Sequence, residues 1–318
     1  MKDLTFDFLK VTEQAALASF PWIGSGDKIK ADGAATNAMR DCLNGIEFDG
    51  RIVIGEGELD HAPMLFIGEN VGTGSGQKVD IAVDPIEGTN SIVNGQDNAF
   101  AVIAAAPQGT LLHAPDMYME KLVAGPQAAG KIDLDASLTE NVYSVAKANN
   151  KNVKDMKILI QNRKRHEKAI AEIRNLGAKV HLFNDGDITY AIATCMKNQD
   201  FDLFYGIGGA PEGVVAAVAV KCLGGEMQAR LLPQNDQEGK RCLEMGIKDP
   251  EKTLRHEDLV NSDQCVFSAT GITGNILLDE IKLDEEMQSV THSLLLTGEN
   301  RQVRFITSKH VNKDMVLS

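Results

Sequence analysis

The sequence lacks an excess of positive charge, a paired-cysteine motif and a long apolar run, and each absence argues against a class of protein. Asp and Glu outnumber Lys and Arg by 45 to 32 over 318 residues, and the net charge of −13 argues against nucleic acid as a partner. No apolar run reaches about 18 residues and no signal peptide is recognised at the start, so neither a membrane span nor export is expected. The acidic field would also repel an anionic substrate, so a phosphate site would need its own local positive potential.

Cysteine is scarce and scattered along the chain. There are 5 cysteines, none is paired at C-x-x-C spacing, and several lie among apolar residues. This pattern does not fit a disulfide or zinc framework. We therefore expect reduced, mostly buried thiols in a cytoplasmic protein. They are Cys42, Cys195, Cys222, Cys242 and Cys265.

The most informative stretch is residues 79–90. Apolar residues alternate with Asp and Ala over 79–84, which predicts a strand that ends at Asp84-Pro85, because proline offers no N–H and restricts the residue before it. Asp84 and Glu87 flank the turn, and Gly88 and Thr89 follow. Rigidly held carboxylates suit a hard divalent cation, a glycine lets backbone N–H groups approach a phosphate, and a threonine adds a hydroxyl.

The same residues also fit the start of a helix. Asp84 would be the N-cap, Pro85 would take the first helical position, and Glu87 would close a capping box. Residues 88–98 are poor helix formers, so such a box would have little helix to cap. The metal-site interpretation is therefore preferred.

Further candidates in the first half each have a simpler alternative. Lys28 follows a glycine-rich loop and is either a solvated lysine or a group that orients water or phosphate. Asp32 is either the N-cap of a helix over 34–43 or a metal ligand. Glu56 lies between two glycines after a strand over 51–54, and it is either a solvated turn acid or an acid aimed inward, with Asp60 close behind. A helix over 2–20 and strands over 99–105 and 121–123 are also predicted.

The second half alternates strand and helix. Strands are predicted over 156–161, 179–183, 201–205 and 227–231, and helices over 166–176, 188–196 and 214–223. This alternation indicates a mainly parallel sheet, in which ligands bind outside the carboxyl ends of the strands. The first three strands are followed by Arg163-Lys164-Arg165, by Asp185-Gly186-Asp187 and by a glycine-rich turn. The basic triplet could also be a solvated face. Strands are also predicted near 265–268 and 301–307, and the sequence does not assign them to a domain.

Several longer strings resemble one family. The Asp84–Thr89 motif resembles the lithium-sensitive phosphatase superfamily of inositol monophosphatases and fructose-1,6-bisphosphatases. Other strings are similar to class II fructose-1,6-bisphosphatase, the bacterial type, over nearly the whole length. These strings cover residues 26–28, 31–35, 54–58, 114–121 and 205–213.

The resemblance implies a fold and a division of the chain. It implies an α/β fold of the sugar-phosphatase type, a layered α/β/α/β/α sandwich with an N-terminal mixed α+β domain and a C-terminal domain with a mainly parallel sheet. We expect a metal-binding phosphatase domain over residues 1–150 and an α/β substrate-binding domain over 151–318.

The resemblance also implies site residues and cofactors. It implies two or more Mn²⁺ or Mg²⁺ ions held by Asp32, Glu56, Asp84, Glu87 and Glu212, although Glu212 could instead only complement a helix dipole. Thr89 would orient the attacking water or attack phosphorus itself, with Lys28 and Asp60 as further catalytic residues. Substrate contacts are expected from Glu87, Gly88, Thr89, Tyr118, Arg163, Lys164, Arg165, Asp185, Gly186, Asp187 and Gly209.

The resemblance implies hydrolysis of fructose 1,6-bisphosphate to fructose 6-phosphate in gluconeogenesis. Arg163 and Arg165 suit a second phosphate, which a monophosphatase does not need. Lys164 departs from the family, where proline is usual, so its role stays open. The alternatives are a sedoheptulose-1,7-bisphosphatase, an inositol-type monophosphatase and a non-catalytic phosphosugar-binding protein. A homo-oligomer is expected on general grounds.

Overall fold

The computed structural model describes residues 1–55 and 64–311. The chain forms two compact units, each discontinuous in sequence. The first unit contains Met1–Ala105, Val266–Thr297 and the chain from Gln302 onward; the second contains Ala106–Cys265 and Gly298–Arg301. The predicted division at residue 150 therefore differs from the division by contacts, because the chain leaves the first unit after residue 105 and returns to it at 266.

The N-terminal part of the chain alternates helices and strands. Its elements are α1 (Thr5–Ser19), α2 (Lys28–Asn44), β1 (Asp49–Ile54), β2 (Asn70–Val71), β3 (Lys78–Glu87), α3 (Thr89–Val93) and β4 (Phe100–Pro107). The middle part contains β5 (Tyr118–Ala124), α4 (Leu138–Ala148), β6 (Lys157–Gln161), α5 (Glu167–Asn175), β7 (Lys179–Phe183), α6 (Asp187–Cys195), β8 (Leu203–Gly209), α7 (Ala210–Leu223), β9 (Glu226–Leu231), α8 (Asp236–Glu244) and α9 (His256–Leu259). The last part contains β10 (Val266–Gly271), β11 (Lys282–Leu283), β12 (Ser289–Thr297) and β13 (Gln302–His310).

The first unit is built on a mixed sheet. Its strand order is β11-β12-β10-β4-β3-β1-β2, and β13 pairs with β12. Strands β1 and β3 are parallel, while β10 runs antiparallel to both β4 and β12. Buried side chains of α1 and α2, among them Phe8, Ala15, Ala35 and Met39, join those of the strands in one apolar core. The late strands β10 and β13, which the sequence left unassigned, therefore belong to this sheet.

Strand β3 continues further than the sequence predicts. It was expected to end at Asp84-Pro85, yet it runs to Glu87. The recorded register between β1 and β3 stops at Ala82, so Pro85 lies where β1 requires no donor from it. Asp84 is consequently a strand residue and not a helix cap, and the five-residue helix α3 begins after Gly88.

The second unit contains the expected mainly parallel sheet, with one strand reversed. The order is β7-β6-β8-β5-β9; β6 is parallel to β7 and β8, and β5 is antiparallel to β8 and β9. Strand β5 was predicted within the domain 1–150, but seven residue pairs join it to β8. Those pairs also extend β8 through Gly209, so the glycines expected in a turn lie in a strand. The α/β class is confirmed in both units.

The cysteines and the apolar character of the helices complete the description of the fold. All five cysteines are free thiols, and all but the half-buried Cys42 are buried, as predicted. No helix in the described ranges is long and apolar enough to cross a membrane.

Candidate functional site

In the first unit the structure joins two of the predicted site residues directly. The Thr89 hydroxyl donates to Asp32 Oδ1 at 3.0 Å and lies 3.1 Å from the Ile86 carbonyl oxygen. Asp32 is half-buried, and burial raises the pKa of its carboxyl, while the Thr89 hydrogen bond and the charge of Lys28 oppose that rise. A carboxylate on α2 and a hydroxyl at the start of α3 therefore share one polar centre.

Helix α2 places Lys28 and Asp32 on one face. The helix begins at Lys28, and its N-cap is Asp27, whose side chain accepts from Lys30 N at 3.1 Å. Asp32 is therefore inside the helix, which excludes the capping role that the sequence allowed for it. Residues four apart in a helix are neighbours, so the exposed Lys28 lies one turn before Asp32.

Gly88 makes the sharp connection between β3 and α3. Its φ of 89° is in the left-handed region, and an added Cβ would overlap the carbonyl oxygen of Asn98. The half-buried Asp84 accepts from Ile86 N at 3.0 Å, and Glu87 ends the strand one residue before Gly88. The expected ligands Asp84 and Glu87 thus lie at the end of β3, and Gly88 connects them to Thr89, the first residue of α3.

Two predicted residues lie outside the described residues, namely the ligand Glu56 and the catalytic candidate Asp60. Within residues 1–55 and 64–311, no group of three or more His, Cys, Asp or Glu side chains is poised to hold a metal ion. The ligand set remains a prediction.

The second unit contains a buried ion pair among predicted substrate contacts. Lys121 Nζ donates to Asp187 Oδ2 at 2.8 Å and to the Gly209 carbonyl oxygen at 3.1 Å. The lysine side chain is 2% exposed and the aspartate side chain 12%. Asp187 begins α6 after Gly186, whose φ is 100°.

Glu212 lies in the first turn of α7 and folds back onto the end of β8. A Cβ added to Gly209 would overlap its carboxylate. Its Oε2 is buried and has no hydrogen-bond partner in the part of the chain that the structure describes. Burial raises the pKa of this carboxyl, and the charge of Lys121 opposes the rise. A buried carboxylate oxygen without a donor is what a bound cation would satisfy.

Arg165 is held by three contacts around the carboxyl ends of β6 and β8. Its Nε donates to the Ile207 carbonyl oxygen at 2.7 Å, and its Nη2 donates to Gln161 Oε1 at 2.9 Å. Its guanidinium carbon lies 5.2 Å from the centroid of the exposed Tyr118 ring. The guanidinium is therefore preorganised at the position where the sequence predicts a phosphate contact.

The rest of the basic triplet is less fixed. Arg163 forms an exposed ion pair with Asp185, at 2.7 Å between Nη2 and Oδ1. Exposed pairs of this kind contribute about 0–1 kcal/mol to stability. Lys164 is exposed. Arg163 is thus available for exchange between Asp185 and an anionic ligand.

Comparison with known proteins decides the family. A family model described as "Bacterial fructose-1,6-bisphosphatase, glpX-encoded" matches residues 2–310. The chain is 49% identical, over 97% of its length and 95% of the relative, to fructose-1,6-bisphosphatase 1 class 2 of Escherichia coli (strain K12). It is 47% identical, over 98% of its length and 97% of the relative, to fructose-1,6-bisphosphatase class 2 of Haemophilus influenzae. The chain belongs to the class 2 fructose-1,6-bisphosphatases.

A solved structure shows a much weaker likeness. The extragenic suppressor protein suhB from Bartonella henselae matches with a TM-score of 0.32 and 15% identity, covering 60% of this chain and 72% of that one. At this level the likeness adds nothing to the description of the site.

Sequence reasoning missed two buried residues that lie beside the candidate residues of the second unit in this class 2 fructose-1,6-bisphosphatase. Lys121 was predicted only as part of a family string over 114–121 and of a strand over 121–123, although a lysine within a strand can signal a paired, buried charge. His166 was also missed. Its Nδ1 lies 2.8 Å from the Gln161 carbonyl oxygen, and its Nε2 accepts from Ile207 N at 2.8 Å. Burial lowers the pKa of this imidazole, so the neutral ring links the ends of β6 and β8.

Proposed function

We propose that this chain hydrolyses fructose 1,6-bisphosphate to fructose 6-phosphate and phosphate, as a divalent-cation-dependent enzyme of gluconeogenesis. The near-complete match to class 2 fructose-1,6-bisphosphatases carries the proposal. The preorganised Arg165 supports a substrate with a second phosphate, because a planar guanidinium can bind phosphate oxygens through two N–H groups.

The donor set supports a hard divalent cation. The sequence-predicted ligands Asp32, Glu56, Asp84, Glu87 and Glu212 offer only carboxylate oxygens, which suit Mg²⁺ or Mn²⁺. Oε2 of Glu212, which has no hydrogen-bond partner among the described residues, supports a cation at that carboxylate. When bound, two such ions would stabilise the attacking and leaving oxygens of a displacement at phosphorus.

We assign Thr89 to orienting the attacking water. Its single hydroxyl proton is directed at Asp32 Oδ1 and the Ile86 carbonyl oxygen, so its lone pairs are free to accept a hydrogen bond from water. Lys28 would place positive charge beside the reacting phosphate, and Gly88 would let backbone N–H groups approach it. Attack by Thr89 itself would instead leave a phosphothreonine, which mass spectrometry after an acid quench would detect.

We assign the second-unit residues to the sugar and the distal phosphate. Arg163 and Arg165 would bind that phosphate beside Tyr118, with Lys164 in reach of solvent. Asp185, Gly186, Asp187 and Gly209 would contact the sugar. A carboxylate accepts two or more hydrogen bonds, which suits adjacent sugar hydroxyls.

A substrate and metal panel tests the proposal. Phosphate release would be measured with Mg²⁺, Mn²⁺ or chelator on fructose 1,6-bisphosphate, sedoheptulose 1,7-bisphosphate and inositol 1-phosphate. We expect metal-dependent release with preference for fructose 1,6-bisphosphate. Faster release from another compound would mean that this compound, and not fructose 1,6-bisphosphate, is the substrate. Absence of release from all three compounds would contradict an enzymatic activity and favour a phosphosugar-binding protein.

Substitutions test the roles of Asp84 and Thr89. We expect Asp84→Ala and Thr89→Ala to lower kcat by about 100-fold or more, the scale of losing a positioned catalytic group. Thr89→Ser keeps the hydroxyl and should retain most activity, and Asp41→Ala, an exposed acid of α2, should behave as wild type. Full activity of a folded Asp84→Ala or Thr89→Ala variant would contradict these roles.

Cellular placement and assembly are also proposed. Free thiols throughout favour a reducing compartment, and we propose the cytoplasm. We propose a homo-oligomer, which the exposed Val303 and Phe305 on β13 support. Light scattering gives the assembly state directly, and a monomer at micromolar concentration would contradict it.

A further inference from the structure

Lys121 is unusual because it is a lysine buried in the middle of a strand, β5. Its side chain is 2% exposed, and lysine is almost never fully buried unless it is paired. Two neighbouring glycines leave space for the pair. A Cβ added to Gly208 would overlap the Asp187 carboxylate and lie 2.9 Å from Lys121 Nζ, and one added to Gly213 would lie 3.3 Å from Lys121 Cδ.

Stability alone does not explain such a pair. The desolvation cost of two buried charges often exceeds their attraction, so a buried ion pair is a poor stabilising device. Asp187 also has a second oxygen, Oδ1, which is buried and has no hydrogen-bond partner among the described residues. A buried acceptor that lacks a hydrogen-bond donor destabilises the folded state, and a charged acceptor does so more strongly. The arrangement therefore destabilises the folded protein unless a ligand supplies the missing hydrogen-bond donor.

The two oxygens of Asp187 have different environments. Lys121 holds Oδ2, so the carboxylate cannot rotate freely, and Oδ1 is left to accept from a ligand. The same ammonium holds the carbonyl oxygen of Gly209, the residue at which β8 meets α7. One buried cation therefore fixes two of the groups that the sequence predicts as substrate contacts.

We propose that Lys121 is a positioning residue for sugar recognition: it fixes the Asp187 carboxylate so that Oδ1 accepts a hydrogen bond from a hydroxyl of the sugar phosphate, and it does not itself contact the reacting phosphate. This inference rests on the proposed function. It assigns Lys121 to the affinity for the sugar phosphate and not to the rate of phosphoryl transfer.

Two variants disturb the pair in different ways. Lys121→Met removes the charge and keeps a similar length. Gly208→Ala keeps both charges but displaces them, and Gly208 has no positive φ that would strain alanine. Each has a matched control in the second unit. Lys151→Met removes a lysine that pairs with the 3% exposed Asp202, and Gly206→Ala adds a Cβ that would meet only the Phe204 ring at 3.4 Å.

The measurements separate positioning from folding. Circular dichroism would establish folding, calorimetry would give the affinity for fructose 6-phosphate, and steady-state kinetics would give KM and kcat for fructose 1,6-bisphosphate. We expect Lys121→Met and Gly208→Ala to weaken fructose 6-phosphate binding and raise KM by about 10-fold or more, with kcat within about 3-fold, the pattern of lost ground-state binding. Both controls should keep wild-type affinity and KM.

The outcomes distinguish this inference from the proposed function. Absence of phosphate release by the wild-type protein would refute the proposed function alone. Equal fructose 6-phosphate affinity in wild type and folded Lys121→Met would overturn the inference whether or not release is seen. A loss of kcat with unchanged KM would also overturn it, because Lys121 would then act on the chemical step. If Lys121→Met does not fold, the fructose 6-phosphate affinity and KM of Gly208→Ala are compared with those of Gly206→Ala. Equal values in these two variants would overturn the inference.

Discussion

The buried histidine His256 links the stability of this fold to pH. His256 is 6% exposed, its Nδ1 accepts from Met227 N at 2.9 Å, and its Nε2 lies 3.0 Å from the Ala217 carbonyl oxygen. Burial, assisted by the charge of Lys221, lowers the pKa of this imidazole to about 4. The ring is therefore neutral in the folded protein at neutral pH, and one nitrogen accepts while the other donates.

This histidine should make the protein less stable in mild acid. Its folded-state pKa is below the unfolded value of about 6.5, so the unfolded chain binds more protons between these values. Stability is retained above about pH 6.5 and is lost as pH falls toward 4; for this group alone the free energy of unfolding should be about 2 kcal/mol lower at pH 5 than at pH 7. Urea denaturation at both pH values measures it.

His256→Asn provides the comparison. Asparagine keeps an acceptor near the Nδ1 position and does not titrate. The variant should lose less stability between pH 7 and pH 5 than wild type, while the contribution of the buried His166 stays common to both. An equal loss in the two proteins would exclude His256 as the cause.

At the scale of elements, helix α4 has a complete capping box. Glu140 N donates to Ser137 Oγ at 3.2 Å, and Ser137 N donates to Glu140 Oε2 at 2.9 Å. Ser137→Ala should lower the free energy of unfolding by about 1 kcal/mol, because an N–H of the first turn loses its acceptor. Ser75→Ala, at an exposed loop serine, should change it by less than about 0.5 kcal/mol. Denaturant titration compares the two, and equal effects would contradict the capping account.

Elements also show where sequence reasoning succeeds and where it fails. The alternation of strands and helices in the second half is confirmed, because both periodicities are local properties of the chain. The pairing of β5 with β8 was not predicted, because seven residue pairs join the two strands across about 85 residues and no local pattern encodes such a pairing. The predicted end of β3 at Asp84-Pro85 was wrong. A proline interrupts a strand only where a neighbouring strand needs a backbone N–H at that position.

At the scale of the whole molecule, divalent ions should stabilise the native protein. A ligand that binds only the folded state at about 100 times its Kd adds about 2.7 kcal/mol. We expect Mn²⁺ or Mg²⁺ to raise Tm and chelator to reverse the rise. Asp84→Ala should remove most of the increase, and Asp41→Ala should preserve it. Differential scanning calorimetry with and without each ion measures the effect, and an equal rise in both variants would place the ions elsewhere.

The sequence by itself determined which chemistry to expect. The acids near Pro85, the hydroxyl of Thr89, the basic triplet and the family strings are all short stretches that can be recognised without the fold. Tertiary structure decided which groups meet. It brought Thr89 to Asp32 across 57 positions and Lys121 to Asp187 across 66, and it left Asp187 Oδ1 without a partner among the described residues. Burial and pairing depend on neighbours that are distant along the chain, so no stretch of sequence contains them.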